Sequence, residues 1–293
     1  MLSESILLYV EEDFEGHAGR PGIRGGSLPR GVVGARVVSP LRAGATSKSV
    51  KADIHRLEKV ATNVIKEHGM EEEVRLIRRN VDDAPQTRDV YSHNGVYVPE
   101  RQARHDKIVA DTLAQATPVA NPTFVFTGGV PGAGKSTMLR NVDLSNHVIV
   151  EHDAFKAALP EYKGWNAANV LSEASDITAK VMRIAIEQHK NVVYDGTMSN
   201  FRVNDALLKE VKALGYKVKI YFMDTQPEMA MQRALGRYKN PPPGQPGRFV
   251  DPVFIAQEDH KNIRTFNRLK SSADSYQRYD ANGHLVEQGG KYA

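Results

Sequence analysis

Beyond Pro122 the chain alternates short apolar runs with longer amphipathic stretches. The apolar runs have the length of strands, and they cover residues 124–127, 148–150, 192–194 and 218–223. The stretches between them repeat apolar residues at helical spacing, and they cover 136–141, 171–189 and 203–214. Strands that alternate with helices predict an α/β fold, in which a parallel sheet carries helices on both faces.

A mostly helical region is predicted before that sheet. Apolar side chains from Asp53 to Arg79 fall near helical spacing, and Gly69 is expected to divide them into two helices. Pro99 is placed to begin another helix, because proline is favoured in a first helical turn. The inner face of that helix is marked by Ile108, Val109 and Leu113. We therefore divide the folded part into a helical region at 53–118 and an α/β domain at 119–293.

Residues 1–52 differ in composition from the rest of the chain. The stretch 16–51 is rich in Gly, Pro and Ser and contains no acid, but it holds five arginines: Arg20, Arg24, Arg30, Arg36 and Arg42. Such composition is typical of a flexible arm, which is the interpretation we favour. An arm that docks on an acidic partner or on a nucleic-acid backbone is the alternative.

Composition limits the possible classes of protein. The chain has 293 residues, a net charge of +4 and no cysteine, so a disulfide framework or a cysteine-based metal site is excluded. The apolar run near the N-terminus follows no basic residue, and no apolar run reaches the length of a membrane span. The sequence predicts a cytoplasmic protein without a membrane partner.

A phosphate-binding loop follows the first strand of the α/β domain. Residues 129–136 match the pattern G-x-x-x-x-G-K-[ST] and lead into a helix. The glycines let successive backbone amides face an anion, Lys135 reaches the β and γ phosphates, and the Ser136 hydroxyl ligates Mg²⁺. We predict a site for ATP or GTP with Mg²⁺, formed by Gly129, Val130, Pro131, Gly132, Ala133, Gly134, Lys135, Ser136 and Thr137.

Two acids follow the next strands, at the edge where doubly wound sheets bind ligands. Asp153 is placed to accept the proton of an attacking hydroxyl or to orient it, and a helix N-cap is its alternative role. Asp195 is predicted to hold Mg²⁺ through water, and Thr197 to bind phosphate or substrate. An ordinary Asp-Gly turn is the alternative explanation for that second segment.

Arginines flank a Pro/Gly-rich loop further along the chain. Arg233 and Arg237 lie four residues apart on a predicted helix, and the loop NPPPGQPG leads from there to Arg248. This arrangement is typical of a lid that closes over phosphates, although a solvated basic face is the common alternative. We assign Arg233 to nucleotide binding, and Lys135, Asp153, Arg237 and Arg248 to catalysis.

These residues together resemble the zeta toxin family of P-loop kinases over roughly 97–281. The segments GGVPGAGKST, VIVEHDAFK, NVVYDGT and GYKVKIYFMD are similar to family segments in the same order. The resemblance implies that Asp153 is the catalytic acid and that Arg237 and Arg248 are the lid arginines. It also implies phosphorylation of a hydroxyl of UDP-N-acetylglucosamine, which starves bacterial cell-wall synthesis, and an antitoxin that blocks the ATP site.

The chain departs from the family where the sugar is bound. Ala179 stands at the position of a substrate-binding glutamate, and Leu207 at that of a substrate-contacting threonine. Asp176 and Glu173 lie one and two turns from Ala179's position on a similar face, so we expect them to substitute. The segment GHAGRPGIRGGSLPRG also resembles stretches of phage structural proteins, which makes such a protein a further candidate partner.

Two other functions are compatible with the sequence. In the first, the enzyme phosphorylates a polynucleotide 5′ end or another small molecule. The arginines of the arm favour a nucleic acid. The arm has no interleaved aromatic residues for stacking, however, so a nucleic acid is not the preferred partner. The second is an ATP-binding phage assembly module without catalysis, which the presence of Lys135, Asp153 and Arg248 argues against.

Overall fold

The computed structural model describes residues 47–291. Most of the arm predicted at 1–52, with all five of its arginines, lies outside these residues. Helix α1 begins at Ser47, inside the segment that we assigned to the arm. The physical reason is that the arm's last glycine is Gly44, and neither Gly nor Pro interrupts the chain between Ser47 and Gly69.

Helices and β-strands make up most of the described chain. The α-helices of the described chain are α1 Ser47–Glu67, α2 Glu71–Asp83, α3 Thr87–Tyr91, α4 Pro99–Leu113, α5 Lys135–Leu139, α6 His152–Ala157, α7 Leu171–Glu187, α8 Phe201–Ala213, α9 Pro227–Lys239 and α10 Pro252–Leu269. The strands are β1 Ser92–His93, β2 Val96–Tyr97, β3 Thr123–Gly128, β4 His147–Glu151, β5 Asn191–Asp195, β6 Lys217–Asp224, β7 Ser275–Asp280 and β8 Leu285–Gly290.

The central sheet has six strands in the order β4-β5-β3-β6-β7-β8. The four strands predicted from apolar runs are all present and pair in parallel, and β7 continues the parallel pairing beside β6. Only β8 runs antiparallel, as the second strand of a hairpin with β7. The α/β fold predicted from the alternation of strands and helices is therefore confirmed.

Helices cover both faces of this sheet, which the side chains of β6 illustrate. Val218, Ile220 and Phe222 belong to one buried cluster, with residues of α7 and α8. Tyr221 and Met223 contact a second cluster, built largely from α1, α9 and the first half of α10. Alternate residues of one strand thus enter different cores, as expected for a strand buried on both faces.

The N-terminal helices pack directly on the α/β domain. Leu57 and Val64 of α1 and Ile77 of α2 lie in the same buried cluster as Ile255 of α10. Gly69 adopts φ +62° between α1 and α2, where we expected the helix to break. Pro99 lies in the first turn of α4, also as expected. The predicted region 53–118 is mostly helical, and its apolar faces are buried against the sheet domain.

Strands β7 and β8 and helix α10 were missing from the sequence-based assignment. The segments SYQRYD and LVEQGG contain few apolar residues, and most of their side chains are half-buried or exposed. β7 pairs with the neighbouring β6, and β8 pairs with β7 in the hairpin. The spacing of apolar residues within each segment does not reveal these pairings. None of the helices within 47–291 is long and apolar enough to cross a bilayer.

Candidate active site

The phosphate loop connects β3 to α5 at the carboxyl edge of the sheet. Gly132 has φ +83°, and a Cβ atom there would lie 2.2 Å from the carbonyl oxygen of Ala230 in α9. Gly134 has φ +108° and directly precedes α5. Both positions require glycine, the first also because the backbone of α9 approaches so closely. The predicted bend of the loop is therefore present.

The amides of this loop remain available for an anion. Among the described residues, Gly132, Gly134, Lys135 and Ser136 donate no backbone amide hydrogen bond. They surround the N-terminus of α5, where amide groups and the helix dipole favour a negative charge. The Nζ atom of Lys135 lies 2.9 Å from the carbonyl oxygen of Gly129, and burial lowers the pKa of this ammonium group.

One cavity of about 740 Å³ contains most of the predicted site. Of the predicted residues, those that line it are Pro131, Gly132, Ala133, Gly134, Lys135, Ser136, Thr137, Asp153, Asp195, Thr197, Arg233, Arg237 and Arg248. Gly129 and Val130 precede them in the same loop, where the amide of Gly129 donates to the carbonyl oxygen of Thr197 at 3.2 Å. Residues far apart in sequence are thus brought together around the loop.

Asp153 lies in the first turn of α6 and is held by two cations. Its carboxylate is 2.5 Å from the Nη2 atom of Arg248 and 3.4 Å from the Nζ atom of Lys156. Burial alone would raise the pKa of Asp153, but these charges outweigh burial and hold the pKa well below its usual range. The cap position of α6 falls to Glu151, whose side chain makes no capping hydrogen bond. The N-cap alternative for Asp153 is therefore not supported.

Asp195 ends β5 beside the phosphate loop. Its Oδ1 atom accepts a hydrogen bond of 2.6 Å from the Thr127 hydroxyl, and its Oδ2 atom has no hydrogen-bond partner among the described residues. Ser136 lines the same cavity, so a hydroxyl and a carboxylate oxygen face one volume. These hard oxygen donors suit Mg²⁺, which takes few protein ligands beside phosphate and water. Thr197 forms a 3.0 Å hydrogen bond with Ser199.

Glu151 also lines the cavity, although it is not among the residues that we assigned from the sequence. It ends β4 in register with Asp195 of β5 and lines the cavity. Burial raises the pKa of Glu151, and the nearby charges of Asp195 and Asp153 raise it further. A third acid in this cleft therefore carries a proton more readily than an ordinary glutamate. Its position in the sequence, directly before His152 and Asp153, could have indicated that it lies in the cavity.

The arginines of α9 take different positions. Arg233 donates to the carbonyl oxygens of Ala133 at 3.3 Å and Ala281 at 2.9 Å, so it joins the phosphate loop to the turn between β7 and β8. Arg237 lines the cavity without an ion pair to any described acid. Burial lowers its pKa, and the neighbouring charge of Arg248 lowers it further.

Glu173 and Asp176 do not join this cavity. Glu173 is fully buried, where Arg101 contacts it at 2.5 and 2.9 Å and His105 at 2.6 Å. Burial would raise the pKa of Glu173, but these hydrogen bonds lower it to about 2. Its carboxylate is occupied by side chains of α4, so the geometry gives no support to a role in sugar binding.

Asp176 faces a separate cavity of about 430 Å³ between α4, α7 and the β1–β2 hairpin. Arg88 contacts it with two hydrogen bonds of 2.9 and 2.6 Å, and the Tyr97 hydroxyl donates to it at 2.5 Å. The structure therefore places it in the contact between the N-terminal region and the α/β domain. The sequence did not indicate this contact, because Arg88 and Tyr97 lie far from Asp176 along the chain.

Sequence reasoning also missed the apolar side of the central cavity. Ile77 and Val81 of α2, Trp165 and Phe249 all line it, and so does the cation Lys156. Lys156 lay within the VIVEHDAFK segment, one helical turn after Asp153, so the spacing could have indicated it. The apolar residues carry no local signal, since only the fold brings them to the phosphate loop.

The chain is similar to a known protein family and to several solved structures. The zeta toxin family profile matches residues 106–285, whereas no curated protein sequence matches the chain. The AvrRxo1-ORF1:AvrRxo1-ORF2 complex with sulphate ions is 19% identical, with a TM-score of 0.58 over 72% of this chain and 80% of that chain. The same pair with ATP is 19% identical, with a TM-score of 0.56 over 70% and 76%.

A third solved structure comes from the PezAT chromosomal toxin–antitoxin system of Streptococcus pneumoniae. It is 20% identical, with a TM-score of 0.49 over 66% of this chain and 81% of that chain. The AvrRxo1 structures support the fold alone at this level of identity, and the family profile spans more than half of the sequence. The chain therefore belongs to the zeta toxin family of P-loop phosphotransferases.

Proposed function

We propose that this protein is an ATP-dependent kinase that transfers the γ-phosphate to a hydroxyl of a sugar nucleotide such as UDP-N-acetylglucosamine. The observation that carries the proposal is the shared cavity of the phosphate loop and Asp153, with Arg248 against the Asp153 carboxylate. A protein that only bound nucleotide would have no use for this paired acid. The family resemblance of the motifs supports the choice of acceptor.

The donor end of the cavity fits the phosphates of ATP. The available amides at Gly132, Gly134 and Ser136 suit the phosphate oxygens, and Lys135 adds a cation. Ser136 and Asp195 would hold Mg²⁺, which neutralises charge on the phosphates when bound. A protein of the same fold, the AvrRxo1-ORF1:-ORF2 pair, was solved with ATP.

The transfer step uses Asp153 as the group that orients the acceptor. Its low pKa keeps it ionised, so it accepts a hydrogen bond from the acceptor hydroxyl. The hydroxyl oxygen forms a bond to the γ-phosphorus while the bond from that phosphorus to the β–γ bridging oxygen breaks, and ADP leaves. The hydroxyl proton passes to Asp153 and on to water. Lys135, Arg237 and Arg248 stabilise negative charge during transfer.

A protein inhibitor belongs to the same proposal. Zeta toxin family membership and the solution of AvrRxo1-ORF1 together with ORF2 support an antitoxin partner. A kinase of an essential cell-wall precursor would need such control in the cell that makes it. Growth of a bacterial culture that expresses this chain, alone or together with a candidate antitoxin, tests this part.

The function is tested by acceptor-dependent formation of ADP with Mg²⁺–ATP and a panel of sugar nucleotides. We expect ADP formation to rise when an acceptor of this class is added, and to fall at least 10²-fold in Lys135→Ala. Lys107→Ala is the matched control, since Lys107 is exposed and, within 47–291, pairs only with Asp111 on α4. ADP formation that no acceptor stimulates would overturn the assignment of the acceptor class.

A further inference from the structure

Three neighbouring helices expose lysine and arginine over much of their outer surface. Helix α10 packs against α1, where the Asp53 carboxylate lies 2.8 Å from the Nε2 atom of His260. It also contacts α8, where the guanidinium of Arg268 lies 3.2 Å from the centre of the Phe201 ring. The cations on α1, α10 and α8 therefore belong to one region of the protein surface.

The exposed cations follow a stripe along each of the three helices. They are Lys51, Arg56, Lys59 and Lys66 on α1, Lys261, Arg264 and Arg268 on α10, and Arg202, Lys209 and Lys212 on α8. Spacings of three, four, seven and eight residues place the members of each stripe on one side of their helix. We call these residues the cationic surface.

The acids of the same helices do not balance this charge at the surface. Most of them are buried or half-buried: Asp53, Glu58, Asp205, Glu210, Glu258 and Asp259. Among the described residues of the three helices, Glu67 is the one exposed acid. Four of the cations pair with acids, at Arg56, Lys209, Lys212 and Lys261. The others have no ion-pair partner within 47–291, and they are Lys51, Lys59, Lys66, Arg202, Arg264 and Arg268.

The cationic surface lies outside the cavity of the phosphate loop. None of its residues is among the described residues that line that cavity. The part of α10 that does line it is the first turn and a half, with Val253, Phe254 and Gln257. Binding of ATP or of the acceptor therefore does not account for the charge of this surface.

The chemistry of the surface suits a nucleic-acid backbone better than a protein partner. Protein interfaces are built around an apolar core, but the large exposed apolar side chains within 47–291 lie on other elements, apart from Leu214 directly after α8. Interfaces with nucleic acid are instead polar and strongly positive. No aromatic side chain is exposed on the described residues of α1, α8 or α10, so the bases of a single strand would find no ring to stack on.

We propose that the cationic surface binds the phosphate backbone of double-stranded nucleic acid without sequence specificity. A duplex presents a dense, regular array of negative charge, and lysine and arginine contacts to phosphates carry no sequence information. The 21 residues of α1 extend over about 30 Å, which is long enough to follow several phosphates. The surface would hold the protein on a duplex and leave the cavity open to its substrates.

The test measures binding of the full-length protein to a short fluorescein-labelled DNA duplex, by anisotropy at several KCl concentrations. Lys59→Ala, Lys66→Ala and Arg264→Ala are combined in one variant. Its affinity should be about tenfold lower or less, and the slope of log Kd against log salt should fall by about 2 to 3, because three phosphate contacts are lost. The substituted side chains are exposed, so the fold should be kept.

The matched control combines Arg79→Ala, Arg104→Ala and Lys107→Ala. It removes the same charge from exposed positions on α2 and α4, and it should bind the duplex as the wild type does. Equally weakened binding in both variants would show that only net charge matters. Unchanged binding in the first variant would place the duplex elsewhere, such as on the arginines of 16–51. Either result, or no binding by the wild type, would overturn the proposal.

Two further measurements separate this surface from the cavity and from a membrane-binding role. A saturating amount of duplex should leave the calorimetric affinity for β,γ-imido-ATP unchanged, whereas competition would place the duplex in the cavity and contradict the proposal. Vesicles of phosphatidylcholine and phosphatidylserine should bind more weakly than the duplex at the same salt concentration. Vesicle binding that the first variant abolishes, without duplex binding by the wild type, would assign the surface to a membrane instead.

Discussion

Arg248 and Asp153 form an ion pair, with 2.5 Å between the Nη2 and Oδ2 atoms. The pair joins the segment before α10 to the first turn of α6, next to the phosphate loop. Both side chains are about three-quarters buried, so water screens the interaction only partly. Arg248 therefore both holds Asp153 ionised and places a positive charge where the phosphoryl group would be transferred.

The pH dependence of transfer should change when this pair is broken. Burial raises the pKa of Asp153, and Arg248 is the strongest influence in the opposite direction. In the wild type, protonation of Asp153 should limit kcat/KM only below pH 3.8, which is the ordinary pKa of an aspartate. In Arg248→Ala the pKa should rise, so the acid limb moves to higher pH, and the maximal rate should fall about 10²-fold or more.

The measurement is the pH profile of kcat/KM for both proteins. Arg104→Ala serves as the control, because Arg104 is exposed on α4 and lies away from the cavity. An acid limb at the same pH in Arg248→Ala and the wild type would show that Arg248 does not control the Asp153 carboxylate.

Arg78 should affect activity although it belongs to the N-terminal region. It binds Asp251, which also caps α10 by accepting from the amide of Val253 at 2.9 Å and lies close to Arg248 in sequence. Arg78→Ala should cost about 1–2 kcal/mol of unfolding free energy and lower transfer about tenfold by misplacing Arg248. Urea unfolding and steady-state rates measure the two effects.

The neighbouring Arg79 provides the comparison for that experiment. It is largely exposed and pairs with Asp83 within α2 at 3.5 Å. Arg79→Ala should change neither stability nor rate by a measurable amount, because exposed pairs of this kind contribute little. Equal effects of the two substitutions would argue against a specific role of the Arg78–Asp251 contact.

Glu173 should contribute to stability rather than to acceptor binding. Its contacts to Arg101 and His105 are buried, so Glu173→Gln should lower the free energy of unfolding by about 3 kcal/mol at pH 7. The pKa of about 2 lies below the ordinary 4.5, so this contribution is complete above pH 4.5 and is lost as the pH falls towards 2. The difference between variant and wild type should narrow over that interval.

Denaturant unfolding at pH 7 and at pH 3.5 measures the Glu173 effect. Glu100→Gln is the control, since Glu100 is an exposed acid in the first turn of α4. Unchanged stability with a raised acceptor KM in Glu173→Gln would instead support the substrate-binding role that its sequence position suggested.

The sequence predicted the elements whose signals are local. Four parallel strands were marked by apolar runs, the phosphate loop by its glycines and Lys135, and the break after α1 by Gly69. Asp153 was indicated because it closely follows an apolar strand. Each of these signals lies within a few residues, so no knowledge of the tertiary structure was needed.

Features that depend on long-range contacts were not predicted. The partners of Glu173 lie on α4, and Gly132 touches the carbonyl oxygen of Ala230 on α9, which no local pattern reveals. The hairpin at β7 and β8 is too polar to show a strand pattern of its own. No local pattern indicates Trp165, which lines the same cavity as Arg248 and residues of α2.

The central claim is that Asp153 acts in transfer within the cavity of the phosphate loop. Its most direct test is the mass of a sugar nucleotide after incubation with Mg²⁺–ATP and either the wild type or Asp153→Asn. We predict that the wild type adds one phosphoryl group, and that Asp153→Asn is slower by 10²-fold or more while its calorimetric affinity for ATP is unchanged. Equal phosphorylation of the sugar nucleotide by both proteins would contradict the account.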